Sequence, residues 1–411
     1  MSQPSPRRLH PEELDLPPVT HVTDERGLRG LLEDLAGQSD VAIDTEADSF
    51  YSYREKVCLV QITVEDRDYL VDPLAVNIGP LGKVLADPGK QKIFHDGEYD
   101  VSILKREYDF EFANLFDTRV AAATLGVKAP GLGAVLETSF GVVLDKSMQR
   151  SDWGKRPLSP KQVSYARMDT HFLLPLRDEL DRRLRKAELA MVMESECRRL
   201  EALDPPDFAF DPDSWARIKG ARELSPVERS ALRELNIERD AIASETNAPL
   251  FRVVNNPSLI ALAQARPKTV QRLAEVPGFS ERQARRIGDR LIRALKRAQE
   301  NGPIERLPRL PSKDGTDALD EAQVEFHERL KTWRKERAEE MGFDASLLIN
   351  RHALVRLASA ELERPEDVAR IPGLAPWQIE RYADELVALH ARFMRDLSAG
   401  KVEVRRRRRR R

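Results

Sequence analysis

Residues 41–46 read Val-Ala-Ile-Asp-Thr-Glu (VAIDTE), a short apolar strand that delivers two carboxylates at its end. Alternate residues of an extended segment point the same way, so Asp44 and Glu46 can both reach one hard divalent cation. The weight of this pair depends on whether other carboxylates arrive from elsewhere in the chain. Working outward, the leucines at 28, 31, 32 and 35 share one face and predict a helix over 26–36. On the other side, Val57–Val64 (VCLVQITV) and Asp68–Val71 flank the charged turn Glu65-Asp66-Arg67, a hairpin pattern that pairs with the first strand. A helix around Leu81–Ala86 ends at Asp87-Pro88-Gly89. Then Lys92–Phe94 forms a further strand, entering His95-Asp96-Gly97 and a helix over Glu98–Tyr108. Strands first and strand–helix alternation next describe an α/β mixed sheet covered by helices.

The 411 residues exceed one ordinary domain, and two or three are expected. Lys plus Arg number 67 against 69 Asp plus Glu, so no overall basic field points to nucleic acid. The sign is unevenly spread: Arg405–Arg411 are all arginine, and without them the balance is 60 against 69. Cys58 and Cys197 are the only cysteines, which argues for a reducing compartment and against a disulfide framework. The first twenty residues lack an apolar segment of signal-peptide type, and no stretch approaches about 18 consecutive apolar residues. A soluble, cytoplasmic, multidomain protein is expected, with no membrane partner.

From Asp117 onward the pattern is almost wholly helical. Ser159-Pro160-Lys161-Gln162 carries an N-cap, a proline at the first helical position and the glutamine of a capping box. That helix is expected to pass Tyr165 and Asp169 towards Leu180, with a long charged helix continuing to about Ala202. Asp204-Pro205-Pro206-Asp207 reads as a boundary. Beyond it, positions 95 apart correspond without gaps: Val254, Asn255, Leu259, Leu273, Pro277 and Gly278 match Ile349, Asn350, Leu354, Val368, Pro372 and Gly373. Two small all-α domains of one fold are expected. The proposed organisation is a lead-in at 1–19, an α/β domain at 20–203, helical domains at 210–300 and 318–396 joined by a linker at 301–317, and an arginine-rich tail at 397–411.

Two later segments bring acids to such a sheet. Asp100 lies in the first turn of the helix after Lys92–Phe94, and Asp169 lies one turn beyond Tyr165, so phenol and carboxylate share a face. Four acids and a tyrosine in this order suit two magnesium ions about 4 Å apart, which clamp the attacking and leaving oxygens of a phosphodiester displacement.

Asp44-Thr45-Glu46, His95–Asp100 (HDGEYD) and Tyr165–Asp169 (YARMD) resemble the three exonuclease motifs of the DEDDy group of 3′-to-5′ exonucleases. Asp145–Trp153 (DKSMQRSDW) looks like the ribonuclease D family, and the two repeats resemble HRDC domains. The resemblance covers roughly residues 20–395. It implies a ribonuclease H-like exonuclease domain with two divalent ions, Mg²⁺ or Mn²⁺. Asp44 bridges both ions, Glu46 and Asp169 complete the nucleophile-side site, and Asp100 reaches the second ion through water. Tyr165 orients the attacking water, whose pKa the neighbouring ion lowers. The implied substrate is RNA with a free single-stranded 3′ end, such as a tRNA precursor, released as nucleoside 5′-monophosphates. No obligatory protein partner is implied.

Taken singly, each residue has an ordinary structural reading. Asp100 can complement a helix dipole, Asp117 can cap a helix, Tyr165 can be a half-buried core ring, and His95 a buried, hydrogen-bonded one. Asp48, Asp72, Lys146, Gln149 and Arg150 either touch substrate or shape the fold, with Lys146, Gln149 and Arg150 ranked first because they lie in the family-like segment. In the first repeat, Ser214–Ala298 holds 17 Lys or Arg against 9 acids. Arg282, Arg285, Arg286, Arg290 and Arg293, with Lys296 and Arg297, line a helix beside the Pro277-Gly278 turn, either a backbone-binding surface or a solvated face. The second repeat has Trp377, Glu380 and Glu385 where the first has Arg282, Arg285 and Arg290. The first repeat is therefore expected to grip nucleic acid and the second to pack against the rest of the protein. The arginine tail would add salt-sensitive affinity. An exoribonuclease is the leading reading; a DNA 3′-to-5′ exonuclease and a non-catalytic RNA-binding or scaffold protein are the alternatives.

Overall fold

The computed structural model describes residues 8–402 apart from 207, 309, 311–315, 317 and 318. The start of the lead-in, most of the linker's second half and the arginine run lie outside the described residues. These residues form two compact units, one drawn from Met1–Glu46, Val57–Pro205 and Ser312–Arg411, the other from Ala47–Lys56 and Pro206–Pro311.

The first unit contains strands β1 (Thr20–Val22), β2 (Asp40–Ala47), β3 (Val57–Val64), β4 (Arg67–Val71), β5 (Gln91–Phe94) and β6 (Leu115–Asp117). They make one mixed sheet in the order β1-β4-β3-β2-β5-β6. β3 and β4 form the expected antiparallel hairpin, while β1 with β4, β2 with β5, and β5 with β6 are parallel. β2 is therefore central. Every residue of β3 is buried, as a strand covered on both faces requires. The two edge strands escaped the sequence reading because three residues are too short to show a period.

Helices α1 (Glu25–Ala36), α2 (Gly82–Leu85), α3 (Glu98–Tyr108), α4 (Thr118–Thr124) and α5 (Leu132–Phe140) connect the strands or follow them. Asp24 caps α1 by accepting from the Gly27 N–H at 2.7 Å, and Leu28, Leu31 and Leu35 are its buried face. The stretch expected as one helix to Leu180 and another to Ala202 is three: α6 (Pro160–His171), α7 (Leu173–Lys186) and α8 (Ala190–Glu201). Pro175 accounts for the first break, since its ring cannot follow a continuous turn and it is tolerated only at a helix start. The second falls at Glu188, in the left-handed region at φ 57°.

The repeat is reproduced helix by helix. α9 (Pro226–Glu245), α10 (Leu250–Val253), α11 (Asn256–Ala265), α12 (Val270–Ala274) and α13 (Glu281–Asn301) are followed by α14 (Glu321–Met341), α15 (Ala345–Leu348), α16 (Arg351–Ser359), α17 (Pro365–Ala369) and α18 (Pro376–Ser398), each starting 95 residues after its counterpart. Their buried polar ties repeat as well. Arg239 donates to the Val254 carbonyl and Arg334 to that of Ile349; Gln283 donates to Val253 and Gln378 to Leu348. The turns before α13 and α18 place Gly278 and Gly373 at φ 84° and 87°. A Cβ at Gly278 would lie 2.1 Å from the Ser258 hydroxyl, so only glycine fits.

The second repeat shares the first unit with the sheet. Its core includes Val192 of α8, with Val120 and Ala123 of α4 packed against it, and Trp377 Nε1 donates to Ser195 Oγ at 3.2 Å. The expectation that it packs against the rest of the protein is met. In the second unit, residues 47–56 accompany the first repeat: the Tyr53 hydroxyl donates to Asp240 at 2.7 Å, Phe50 meets Phe251 edge-on, and Arg252 lies 4.2 Å over the Tyr51 ring. No helix among the described residues is long and apolar enough to cross a membrane.

Trp377→Ala removes a large ring that is 9% exposed, together with its bond to Ser195. A loss of roughly 3 kcal/mol is expected in denaturant unfolding, with Arg282→Ala, its counterpart 95 residues earlier, close to neutral.

Candidate active site

Val41 and Ile43 of β2 face the apolar layer that includes Leu35 and Leu104, so Asp44 and Glu46 face the opposite side, where α6 lies. One carboxylate oxygen each from Asp44, Glu46 and Asp169 falls within 4.8 Å of the others. Hard oxygens gathered this closely, from two elements remote in sequence, fit a divalent cation such as Mg²⁺ or Mn²⁺. Asp100, in the first turn of α3, is held beside them: its Oδ1 accepts from the Thr45 N–H at 3.0 Å and from the Thr45 hydroxyl. Thr45, a mere spacer in the sequence reading, is thus what fastens the second motif segment to the first. The signal was available only once β2 and α3 were known to adjoin.

α6 carries Tyr165 and Asp169, and its position is fixed from below. The capping box is present, with Ser159 N–H donating to Gln162 at 3.0 Å and Gln162 N–H to Ser159 Oγ at 3.3 Å. In the next turns, Arg167 and His171 both reach the buried Asp68 of β4, at 2.7 and 2.9 Å, and Thr63 donates to the same carboxylate. Burial alone would raise Asp68, but His171, Thr63 and Arg167 outweigh it and hold the carboxyl below its usual range. Arg167 and His171 alternate along α6 with Tyr165 and Asp169, which face the acids. The Tyr165 ring is packed on the buried Trp153 with centroids 5.9 Å apart. Arg156 secures that loop through the carbonyls of Trp153 and Cys58 and a bidentate pair with Asp72.

Electrostatically, the cluster is frustrated. Burial, then the charges of its neighbours, pushes Asp44 well up, Glu46 up to about 9 and, with burial dominant, Asp169 to about 8 and Asp100 to about 6. Tyr165 is driven above the usual phenol range by burial and the nearby carboxylates, with its hydroxyl in hydrogen-bonding reach of Asp169 and Gln149. It therefore keeps its proton at any working pH. It can orient a water but cannot serve as a general base.

Asp117 is a cap and not a member of the cluster: it accepts from the backbone of Asp96, Gly97, Arg119 and Val120. His95 is a buried ring bonded to Thr118 Oγ1 at 2.9 Å, and burial lowers it to about 4. Asp48 ties its own loop through Ser52 and the Lys56 N–H. Lys146, Gln149 and Arg150 are exposed on the turn that leads to Trp153. On α13 the stripe divides. Arg290 pairs with Glu238 and Glu245, Arg297 with Glu234 and Glu238, and Arg285 with Glu281. Arg282, Arg286 and Arg293 are exposed, with no ion pair among the described residues. The sequence could not separate them because the acids of α9 that claim Arg290 and Arg297 lie some 50 to 60 residues away.

Each acid of the cluster titrates higher in the folded chain than in the unfolded one. Without a cation its contribution to stability is full below about pH 4 and is lost as the pH rises through about 6 for Asp100, 8 for Asp169 and 9 for Glu46. Added Mn²⁺ relieves the repulsion and has fewer protons to displace at high pH. The Mn²⁺-induced rise in Tm is therefore expected to be larger near pH 9 than near pH 6 and to vanish in Asp44→Ala. A rise that is unaffected by pH or by the substitution would place the cation elsewhere.

Comparison with known proteins agrees with this geometry. Residues 19–185 match the family described as 3′-5′ exonuclease, and residues 228–295 and 323–389 each match the HRDC domain. Ribonuclease D of Sphingobium indicum is 30% identical over 380 residues, which span 90% of this chain and 93% of that protein. The catalytic core of RRP6 from Trypanosoma brucei aligns with a TM-score of 0.64 at 27% identity, over 73% of this chain and 84% of that one. Escherichia coli RNase D shares the fold, with a TM-score of 0.65 at 24% identity over 92% and 99% of the two chains. An exonuclease domain followed by two HRDC domains, with a ribonuclease D 30% identical along nearly the whole chain, places the protein: it belongs to the ribonuclease D family of divalent-metal-dependent, hydrolytic 3′-5′ exoribonucleases.

Proposed function

We propose that this exoribonuclease trims the 3′ ends of structured RNAs, tRNA precursors among them, releasing one nucleoside 5′-monophosphate at a time. The observation that carries the reading is the meeting of Asp44, Glu46 and Asp169 oxygens within 4.8 Å beneath the Tyr165 hydroxyl. Asp44, Glu46, Asp100 and Asp169 would hold two Mg²⁺ or Mn²⁺ ions, Asp44 serving both. Such ions, when bound, neutralise the phosphodiester and supply hydroxide at neutral pH. Tyr165, protonated and braced by Trp153, orients the attacking water towards the terminal phosphate. Substrate choice is supported by what is said of Escherichia coli RNase D, an exoribonuclease involved in structured RNA processing.

Lys146, Gln149 and Arg150 are proposed to contact the RNA near the reacting end. Arg282, Arg286 and Arg293 are the members of the stripe left to meet backbone phosphates, whereas Arg285 and Arg290 serve mainly to pair with Glu281 and with α9. The second repeat, already packed on α4 and α8, acts as structure.

With a 3′-tailed RNA labelled at its 5′ end, Mg²⁺ or Mn²⁺ should give a ladder that shortens from the 3′ end, and chelator or Asp44→Ala should abolish it. Tyr165→Phe should lower kcat by about a hundredfold or more with little change in KM. An intact RNA with binding retained would leave only the helical domains with a function, and equal turnover of a matched DNA would move the substrate to nucleic acid in general. Separately, replacing Arg282, Arg286 and Arg293 by glutamine should weaken RNA binding at all sequences and flatten its salt dependence by about two units of slope; the same change at Arg290 and Arg297 should instead lower stability.

A further inference from the structure

The opening segment, expected as a bare lead-in, is part of the catalytic cleft. Leu9 bridges to Val142, donating to the Gly141 carbonyl and accepting from the Val143 N–H, both at 2.9 Å. Arg8 pairs with Glu137 at 2.8 Å. Pro11–Glu13 then form a 3₁₀ turn in which the His10 N–H donates to Glu13 at 2.8 Å, and Arg167 of α6 holds the Pro17 carbonyl at 2.5 Å. Holding this many residues still costs about 1–2 kcal/mol each in backbone entropy, so the segment is ordered by these ties and not by default.

Its placement shapes a cleft of about 510 Å³ whose floor is Tyr165 and Asp169. His10, Pro11 and Glu12 form one wall, and Val143 and Leu144 belong to another. The volume suits a single nucleotide. Pro11 and Leu144 offer apolar surface to a base, while Glu12 is an acceptor-only carboxylate with no hydrogen bond or ion pair to the described residues. Asp145, the other acid at the cleft, is already engaged by Ser147 at 2.7 and 2.8 Å. Lys161 provides a cation on the α6 side.

We propose that this N-terminal segment is a substrate-binding wall: it seats the nucleotide next to the scissile phosphate, with Glu12 accepting a hydrogen bond from a ribose hydroxyl and His10 contacting the same nucleotide. A deoxyribose offers one donor fewer, so the wall contributes to the choice of RNA over DNA. The inference rests on the substrate reading above.

The test measures KM and kcat on matched 3′-tailed RNA and DNA for the full chain and for Glu12→Ala, His10→Ala and Arg8→Ala, the last loosening the segment without entering the cleft. Glu12→Ala should raise KM for RNA by roughly tenfold with kcat little changed and should narrow the RNA-to-DNA ratio. His10→Ala and Arg8→Ala should shift KM the same way. Unchanged KM and ratio in all three, with normal turnover, would overturn the wall. A fall in kcat alone would overturn it too, by giving the segment a structural part. Absence of turnover in the unaltered protein would instead sink the exoribonuclease reading.

Discussion

Like charges held together against their own repulsion are the constraint on which this architecture turns. Asp44, Glu46 and Asp169 cannot all be ionised in their half-buried position without a counter-charge, and the upward displacement of every one of them records the cost. Such a cluster persists only where the backbone gives it no freedom to open. β2 is an interior strand and Thr45, between Asp44 and Glu46, is tied through its N–H and hydroxyl to Asp100, while α6 is pinned through Asp68 by Arg167 and His171, two residues to either side of Asp169. The folded chain stores in these carboxylates an affinity for cations that the unfolded chain lacks.

The supporting groups divide the labour in a consistent way. Acids of the cluster are pushed up by burial and by one another, and acids outside it are saturated: Asp117 takes four backbone N–H groups, Asp68 takes Thr63, Arg167 and His171, and Asp72 takes both arms of Arg156. The saturated ones bear on the elements that carry the cluster, Asp68 on α6 and Asp117 on the start of α3. The same contrast separates the two repeats, where one long helix has Arg282 in the open and its duplicate has Trp377 under α8. One copy kept a solvated basic edge; the other became part of the foundation.

Most of this was legible before the structure because it is written locally. The Asp-x-Glu pair and the Ser159 capping box depend on residues within a turn of one another, and the 95-residue register on matching one stretch to another; the capping box and the repeat appear as read, while the strand expected over 41–43 runs on through both acids to Ala47. What was missed depends on distance in sequence. The edge strands β1 and β6 acquire their conformation only from β4 and β5, the break at Phe172 required weighing Pro175 against an otherwise continuous apolar period, and the neutralisation of Arg290 is invisible without α9 beside it. The contacts of the lead-in are hidden for the same reason, since nothing in Leu9 or Glu12 announces Val142 or the cleft beside Tyr165.

The chain leaves the nuclease sheet after Ala47 and returns to it at Val57, yet the side chains Phe50, Tyr51 and Tyr53 between are invested in Phe251, Arg252 and Asp240. The chain therefore has no single scissors point between its compact units. An excised nuclease ending at Pro205 would retain Asp44, Glu46, Asp100 and Asp169 but would strip Phe50, Tyr51 and Tyr53, a few residues beyond Glu46, of their partners in the first repeat, which makes it a poor stand-in for the whole.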